Sequence, residues 1–444
     1  MDAQVSLETM LNNRLSYAFL SELGIEQTHR WLLLTLNETE TVQNVGELHQ
    51  LNQTEWIALT KEAIRLRLTH GLYRFLLRNP ELTGEGPEFA RARLKQSRQA
   101  TLRHNLKQAA QFLRVKKALD HEGIECLLMK GLWINAVLYQ DQAARRSGDI
   151  DLLFRPQDMP RATRVFQQLK LSPLNDLITD VRDLAPNNHE FTLREPVSSI
   201  YFDIHWGMTH PLHESPVDEA AFWDRSQSYP IAGIECRSFK LEDHLLLLSF
   251  HAAEHHRFQG VGLRALIDIA QILAWPPGRI DWDDLLRRAR LIGWDKGLAL
   301  LLALINDITG MTPPVFVTRN LTHRHPVTPE IKRHALEAMI LEQDRKDNIG
   351  NRVLNLTQAP SRAAQLRHIV ERLFPPPRRM LEYARITPEQ IRRRPWQWPV
   401  LYLQRWKVLV SDVPQFLDLC RGNDARRAEL RRSARLRQWL RGDG

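Results

Sequence analysis

Two aspartates separated by one residue are the side chains best suited to chemistry in this sequence. Asp149 and Asp151 lie in DIDLLF, whose alternation of acidic and apolar residues predicts a strand with both carboxylates on one face. Adjacent carboxylates repel each other, and both stay ionised easily only when a cation lies between them. Mg²⁺, or Mn²⁺ in its place, prefers such oxygen ligands. The spacing therefore predicts a site for one of these ions.

A third aspartate lies in a later predicted strand. Asp203, in YFDIHW, is surrounded by large apolar residues, where a charge is costly unless it is paired or bound to a metal ion. If the two strands are neighbours, three carboxylates converge. The alternative is that Asp149 and Asp151 are exposed on an edge strand and that a neighbour caps Asp203. His205 lies two residues after Asp203 and shares its strand face. It is either a contact of this site or a solvent-exposed residue at the strand end. His189 is expected near the mouth of the same site.

An anion-binding turn is predicted just upstream of the first two aspartates. In LLMKGL a buried strand is followed by a turn at Lys130-Gly131 and then by a helix. This order directs backbone N–H groups and the positive end of the helix towards an anion. Lys130 adds a point charge that suits a phosphate group.

Two segments together resemble a known family. GIECLLMKGLWINAVLYQDQAARRSGDIDLLF is similar to the core signature of a bacterial family of uncharacterised nucleotidyltransferases in the polymerase-β-like superfamily, and LSFHAAEHHRFQGVGLRALIDIAQIL resembles its downstream helical signature. YFDIHW is similar to the strand that carries the family's third carboxylate. The resemblance covers residues 100–310 best. The matching positions are Lys130, Gly131, Tyr139, Arg145, Asp149, Asp151, His251, His255, Arg264 and Asp268.

The resemblance implies an α+β fold with a small mixed-sheet, polymerase-β-like core flanked by helical regions. It also implies a Mg²⁺-dependent enzyme that moves a nucleoside monophosphate from a nucleoside triphosphate to a hydroxyl-bearing acceptor and releases pyrophosphate. Arg145 or Arg146 is then either a contact of the pyrophosphate or a surface-loop arginine. The identity of the acceptor is not predicted, and the alternatives are a small molecule, a protein or an RNA.

One departure from the superfamily pattern supports an alternative function. Gly131 is followed by Leu132, where the superfamily has Gly or Ser to help hold the terminal phosphates. The alternative is a catalytically degenerate protein that binds nucleotides or acts as a scaffold. A degenerate core is expected to lose a carboxylate, and all three candidates are present, which favours the enzyme.

The acceptor pocket is predicted from residues near the downstream signature, namely His205, His251, His255, Arg264 and Asp268. His251, Glu254 and His255 also match H-x-x-E-H, a zinc pattern of inverted zincin peptidases. A pattern this short is common by chance, and a peptidase leaves the aspartates unexplained. We therefore expect packed polar side chains or acceptor contacts rather than zinc ligands.

The elements that position these residues are predicted in four regions: a helical region 1–98, a nucleotidyltransferase core 99–240, a helical domain 241–374 and a helical, basic appendage 375–444. A long helix is expected over about 87–121 and is ended by Gly123. Strands are predicted at 124–129, 149–154, EFTLRE, SIYFDIHW and 234–239. From Leu241 onward, apolar residues recur at helical spacing.

The composition agrees with a folded cytoplasmic protein. The chain has 444 residues and a net charge of +9, of which residues 421–444 contribute +5 through eight arginines. This segment is either a solvated tail or a contact for a polyanion such as nucleic acid. Three scattered cysteines fit a reducing compartment. No segment reaches the roughly 18 apolar residues of a membrane span, and the first residues lack the pattern of a signal peptide.

Overall fold

A computed structural model gives the fold of this chain. It describes residues 25–36, 48–173, 189–208, 217–276, 278–340 and 394–421, together with isolated positions between and after these ranges. Two compact units are present: Met1–Ser172 with Leu184–Leu341, and Pro173–Asp183 with Glu342–Gly444. The predicted boundaries at 98/99 and 240/241 both fall inside the first unit, so the four-region division stays a prediction.

The first unit contains a mixed seven-stranded sheet in the order β3-β4-β5-β2-β1-β7-β6. β2 pairs with β5 and β1 pairs with β7 in parallel, whereas the pairs β1–β2, β4–β5 and β6–β7 are antiparallel. Together with the surrounding helices, this sheet makes the fold α+β, as the sequence predicted. The strands are β1 Leu127–Met129, β2 Ile150–Leu153, β3 Ser172–Pro173, β4 Glu190–Arg194, β5 Tyr201–His205, β6 Gln227–Ile231 and β7 Ile234–Ser238.

Three strands differ from the sequence prediction, and one of them, the two-residue β3, has no predicted counterpart. β1 is shorter than predicted, because residues 124–126 precede the paired segment. β6 was not predicted, since Pro230 argues against a strand. The structure resolves this conflict by placing β6 at the edge of the sheet, where a missing N–H costs no ladder hydrogen bond.

Helices precede the sheet in the chain and then connect its strands. The predicted long helix runs over Glu85–His121, and Gly123 follows it with a φ of +61°. The helical segment 55–78 is interrupted near Arg67, whose φ is +62°. These helices are α1 Gln27–Leu34, α2 Gln53–Arg65, α3 Thr69–Arg78, α4 Glu85–His121, α5 Gly131–Trp133, α6 Met159–Gln168 and α7 Glu219–Arg225.

The segment after the sheet is helical, as its periodicity predicted. α5 and α8 each continue into a wider π-helical turn, Ile134–Tyr139 and His251–His255 respectively. Gly297 lets α11 approach the second of these turns, because a Cβ there would lie 2.6 Å from the Cβ of Ala253. The helices are α8 Leu241–Phe250, α9 Gly262–Leu273, α10 Trp282–Leu291, α11 Asp295–Thr309, α12 Val315–Arg324 and α13 Pro329–Ile340.

The second unit contains α14, Gln397–Arg421, and a small apolar cluster of Met380, Ile391 and Leu401. Most of the basic segment 421–444 lies outside the described residues, so its predicted contact with a polyanion stays a prediction. Of the helices that the structure describes, none combines the length and the apolar character needed to cross a membrane.

Candidate active site

Three carboxylates meet at the paired ends of β2 and β5. The parallel register places Asp151 directly opposite Asp203, and Asp149 lies just before β2. One carboxylate oxygen of each residue lies within 4.8 Å of the others. Asp151 is buried, whereas Asp149 and Asp203 are half-buried. The alternation of acidic and apolar residues therefore does bring the three predicted aspartates together.

Mutual repulsion and burial together determine the electrostatics of this carboxylate cluster. Asp151, burial and Asp203 together raise the pKa of Asp149 to about 7. Burial, with a smaller effect of Asp151, raises the pKa of Asp203. Burial also opposes ionisation of Asp151, but Lys130 and His205 more than offset it and hold the pKa of that carboxyl well below its usual range. A cation bound among these groups would relieve the repulsion.

The donor set fits Mg²⁺ or Mn²⁺. All three converging groups offer hard oxygen ligands, which these ions prefer over the nitrogen and sulfur ligands of zinc sites. Among the described residues, this cluster is the one group of three or more potential ligands with spacing suited to a metal ion. His251, Glu254 and His255 do not form such a group, so the geometry gives no support to a zinc site there.

Lys130 is engaged with the carboxylates. Its Nζ donates a hydrogen bond to Oδ1 of Asp151 at 3.1 Å, and only 15% of its side chain is exposed. Burial disfavours the ammonium, but Asp151 and Asp149 offset this and raise the pKa of Lys130. The φ of Lys130 is +44°, a conformation that favours glycine and that tends to occur at functional sites. Lys130 therefore compensates part of the negative charge of the aspartates. The sequence had predicted only a phosphate contact for this residue.

Gly131 is required by close packing rather than by an open phosphate turn. A Cβ at this position would lie 2.0 Å from Oγ of Ser147. Ser147 in turn donates a hydrogen bond to the carbonyl of Asp149 at 3.0 Å. Leu132 is only 2% exposed, so its side chain belongs to the core and takes no part in a phosphate-binding surface.

The loop that leads into Asp149 is held by two buried asparagines. Asn105, on α4, donates to the carbonyls of Gln142 and Arg145 and accepts from the backbone N–H of Ser147. Asn135 donates to the carbonyl of Arg145 at 2.9 Å. Neither asparagine was among the predicted site residues. The available signal was an asparagine within a long helix, where this residue type is unfavourable unless its side chain has another role.

Tyr139, Arg145 and Asp268 form a buried hydrogen-bonded group. Arg145 Nε donates to Oδ2 of Asp268 at 2.8 Å, and the Tyr139 hydroxyl donates to Oδ1 at 3.0 Å. Burial raises the pKa of Asp268 despite the opposing effects of Arg145 and Arg264. The first contact of Arg145 is thus Asp268 rather than the aspartate cluster. Arg146 is exposed, and its charge, after burial, helps to lower the pKa of His104.

The predicted histidines His251 and His255 lie close enough to Lys130 to be affected by its charge. His251 and His255 stack with ring centroids 5.5 Å apart, and His256 packs edge-on against His251 at 4.4 Å. Burial lowers the pKa of all three, and the charge of Lys130 lowers it further. These rings are therefore neutral and polar near neutral pH.

His205 links the carboxylate cluster to β4. Its Nε2 lies 3.4 Å from Oδ1 of Asp151, and its Nδ1 lies 3.1 Å from Oε2 of Glu190. His189 lies 3.7 Å from the same Glu190 oxygen, with its ring 6.4 Å from that of His205. His205 thus faces the site, which agrees with the first of the two alternatives for it.

Comparison with known proteins identifies the chain by family. A family model described as uncharacterised nucleotidyltransferase matches residues 52–310, which is more than half of the sequence. The chain belongs to this family. It is therefore a transferase of the nucleotidyltransferase class, and the matched range contains the aspartate cluster, the loop before it and the histidine-bearing turn.

Similarity to individual proteins is weak. The solution structure of the antibiotic-resistance factor ANT(2'')-Ia is 15% identical over 50% of this chain and 100% of that chain, with a TM-score of 0.25. Among curated proteins, none matches the sequence.

We expect Gly131→Ala to weaken metal binding at least about tenfold, because the added Cβ displaces Ser147 and with it the backbone of Asp149. Calorimetric titration with Mn²⁺ measures this affinity. Gly148→Ala is the matched control, since a Cβ at Gly148 meets no atom within 4 Å. Adding Ser147→Ala to Gly131→Ala should restore part of the affinity. Unchanged binding by Gly131→Ala would contradict this packing argument.

We also expect the Mn²⁺ affinity to rise with pH up to about 7 and to level off above it. The ion binds the ionised carboxylate, and the pKa of Asp149 is raised to about 7, so protons compete with the ion below that value. Titrations at several pH values from 5.5 to 8.5 measure this dependence. Asp149→Asn should flatten it, and a wild-type affinity that does not change over this range would contradict the assignment.

Proposed function

We propose that this protein transfers a nucleoside monophosphate from a nucleoside triphosphate to a hydroxyl group of an acceptor, in a reaction that depends on Mg²⁺ or Mn²⁺. The observation that carries the proposal is the convergence of Asp149, Asp151 and Asp203 within the segment that matches the nucleotidyltransferase family. Carboxylates arranged in this way suit the two-ion chemistry of phosphoryl transfer.

Each aspartate has a distinct role in this proposal. Asp149 and Asp151 would hold one ion against the triphosphate, and Asp203 would help hold the second. The ions would supply positive charge to the attacking and leaving oxygens. Thr192 fixes Asp203 by donating a hydrogen bond to Oδ1 at 2.6 Å. Since the pKa of Asp203 is raised, its carboxylate is also suited to accept the proton of the acceptor hydroxyl.

The proposed transfer requires no reagent other than the nucleoside triphosphate and the acceptor. The acceptor oxygen forms a bond to the α-phosphorus, and the bond from that phosphorus to the β-phosphate oxygen breaks. Pyrophosphate leaves with the electron pair of this bond, and the acceptor proton passes to the Asp203 carboxylate. Lys130, which already contacts Asp151, would stabilise the negative charge that develops on the leaving pyrophosphate.

Two observations favour the enzyme over a degenerate nucleotide-binding or scaffold protein. The full set of three carboxylates is present and convergent. Leu132, the main departure from the superfamily pattern, is packed in the core and does not obstruct the aspartates. We place the protein in the cytoplasm, which agrees with its two described cysteines, Cys126 and Cys236, being free and buried.

The acceptor would approach between two groups of side chains. One group would be the neutral rings of His251 and His255 with His205, and the other would be Arg264 and Asp268. A small molecule, a protein side chain or an RNA end could each supply the hydroxyl. Polyanion binding through the basic segment 421–444 would favour the last of these.

Asp149→Asn should reduce transfer at least about a hundredfold, because it removes a metal ligand without a change in volume. Incubation of the protein with each labelled nucleoside triphosphate and cell extract measures transfer, and the exposed Asp283→Asn is the control. Comparable transfer by wild type and Asp149→Asn would place the active site elsewhere.

The stability of Asp149→Asn should separate chemistry from folding. The pKa of Asp149 is raised in the folded state, so its ionisation destabilises the metal-free fold above its unfolded pKa of about 3.9. Without metal at pH 8, the variant should therefore melt at the same temperature as wild type or higher. A lower melting temperature would attribute any loss of activity to misfolding.

Nucleotide binding should require the divalent ion. Three carboxylates close together repel a bare triphosphate, and the ion reverses this interaction. Calorimetry with a non-hydrolysable ATP analogue should show binding with Mg²⁺ and a loss of at least about tenfold in affinity with EDTA. Equal affinity in both conditions would favour the degenerate nucleotide-binding protein.

A further inference from the structure

A cleft rich in arginine lies beside the candidate active site, within the first compact unit. Its walls come from α3 and the residues before it, from the loop after Tyr139, and from α9. The cleft is lined by the five arginines Arg67, Arg74, Arg78, Arg145 and Arg264.

The lining of this arginine cleft carries a surplus of positive charge. Among the described residues that line the cleft, Asp268 is the one acid, and the arginines outnumber it. Asp268 is already bonded to Arg145 and Tyr139. His70 adds no charge near neutral pH, because burial and the neighbouring Arg98 lower its pKa to about 4. A cleft with this balance attracts anions.

Arg264 provides a second and independent observation. Its Nη1 is fully buried and has no hydrogen-bond partner among the described residues. Burial, Arg145 and Arg67 lower the pKa of Arg264 to about 9, so other cations crowd this guanidinium. A buried charged donor without an acceptor is unfavourable, and an anionic oxygen would satisfy it.

Arg264 also connects the cleft to the aspartate cluster. Its charge lowers the pKa of Asp149, although the neighbouring acids and burial have the larger effect. The helical segment that begins at Gly131, beside the aspartates, ends at Tyr139 in the cleft wall. A ligand anchored in the cleft therefore lies next to the site where transfer would occur.

We propose that the arginine cleft binds an anionic group, a phosphate or a carboxylate, that the acceptor carries in addition to its reactive hydroxyl. This inference rests on the proposed transferase activity. Lys130 is already paired with Asp151 at the aspartate cluster, whereas the arginines of the cleft supply positive charge beside it. Apolar wall residues, Leu36, Leu68, Ile267 and Met311, suit the carbon skeleton of an organic anion. The N-terminal helices thereby acquire a role in selecting the acceptor.

Inorganic phosphate is the probe for this anion site. We expect it to bind the wild-type protein in calorimetric titrations that contain saturating Mg²⁺ and a non-hydrolysable ATP analogue. Arg264→Gln should raise its Kd at least about tenfold, because a charged hydrogen bond is lost. Arg67→Gln should raise the Kd severalfold without disturbing the fold, since Arg67 is exposed. Arg319→Gln, an exposed arginine outside the cleft, is the matched control.

The outcomes show whether the cleft binds an anionic group of the acceptor or the triphosphate itself. Phosphate binding that persists with bound nucleotide and weakens in both cleft variants supports an acceptor site. Competition between phosphate and nucleotide would assign the cleft to the triphosphate and overturn the proposal. Phosphate affinity that both cleft variants retain, in proteins that melt like wild type, would overturn it as well.

The test is also independent of the proposed function. Phosphate binding requires no turnover, so it can be present in a protein that transfers nothing. That result would count against transferase activity and leave the anion site in place. Transfer that depends on Asp149, without any phosphate binding in the cleft, would instead contradict only the inference about the acceptor.

Discussion

Repulsion among three carboxylates is the interaction on which the rest of this site depends. Asp149, Asp151 and Asp203 are held together by strand pairing, although repulsion and burial raise the pKa of Asp149, and burial with a smaller effect of Asp151 raises that of Asp203. Lys130 offsets part of this repulsion through its contact with Asp151. The fold therefore maintains an arrangement that is unfavourable without a cation, which is the usual condition of a site prepared for a metal ion.

The cost of this arrangement explains why the surrounding loop is so firmly held. Asp149 lies before β2 rather than within it, so strand hydrogen bonds do not fix its position. Ser147 and Asn105 take over that function, because Asn105 accepts from the backbone N–H of Ser147 and the Ser147 hydroxyl donates to the carbonyl of Asp149. Gly131 makes room for Ser147, and this requirement accounts for a glycine at the turn independently of any phosphate. The residues that position the carboxylates thus include Asn105 on α4, which is far from Asp149 in the sequence.

Local patterns predicted the parts of the site that depend on one strand or one turn. Alternation in DIDLLF and the apolar setting of Asp203, together with the upstream LLMKGL segment and the family resemblance, predicted the carboxylate cluster, and periodicity predicted the long helix. The contact between Arg145 and Asp268 was not predictable in this way, since 123 residues separate the two. The arginines of α3 were missed for the same reason, because only the tertiary fold brings that helix to α9. β6 was missed because the sequence does not show that its proline lies at a sheet edge.

The opposite charges of the aspartate cluster and the arginine cleft imply that their ligands influence each other. Arg264 lowers the pKa of Asp149, and Asp149 raises the pKa of Arg264, so each group favours the charged state of the other. A divalent ion at the aspartates would compete with Arg264 for the charge of Asp149. Arg264 would then interact more strongly with an anion in the cleft. Because such linkage is reciprocal, an anion in the cleft would also reduce the repulsion between Arg264 and an incoming cation. Metal and anionic acceptor would therefore assist each other's binding, and the site would become complete only when both are present.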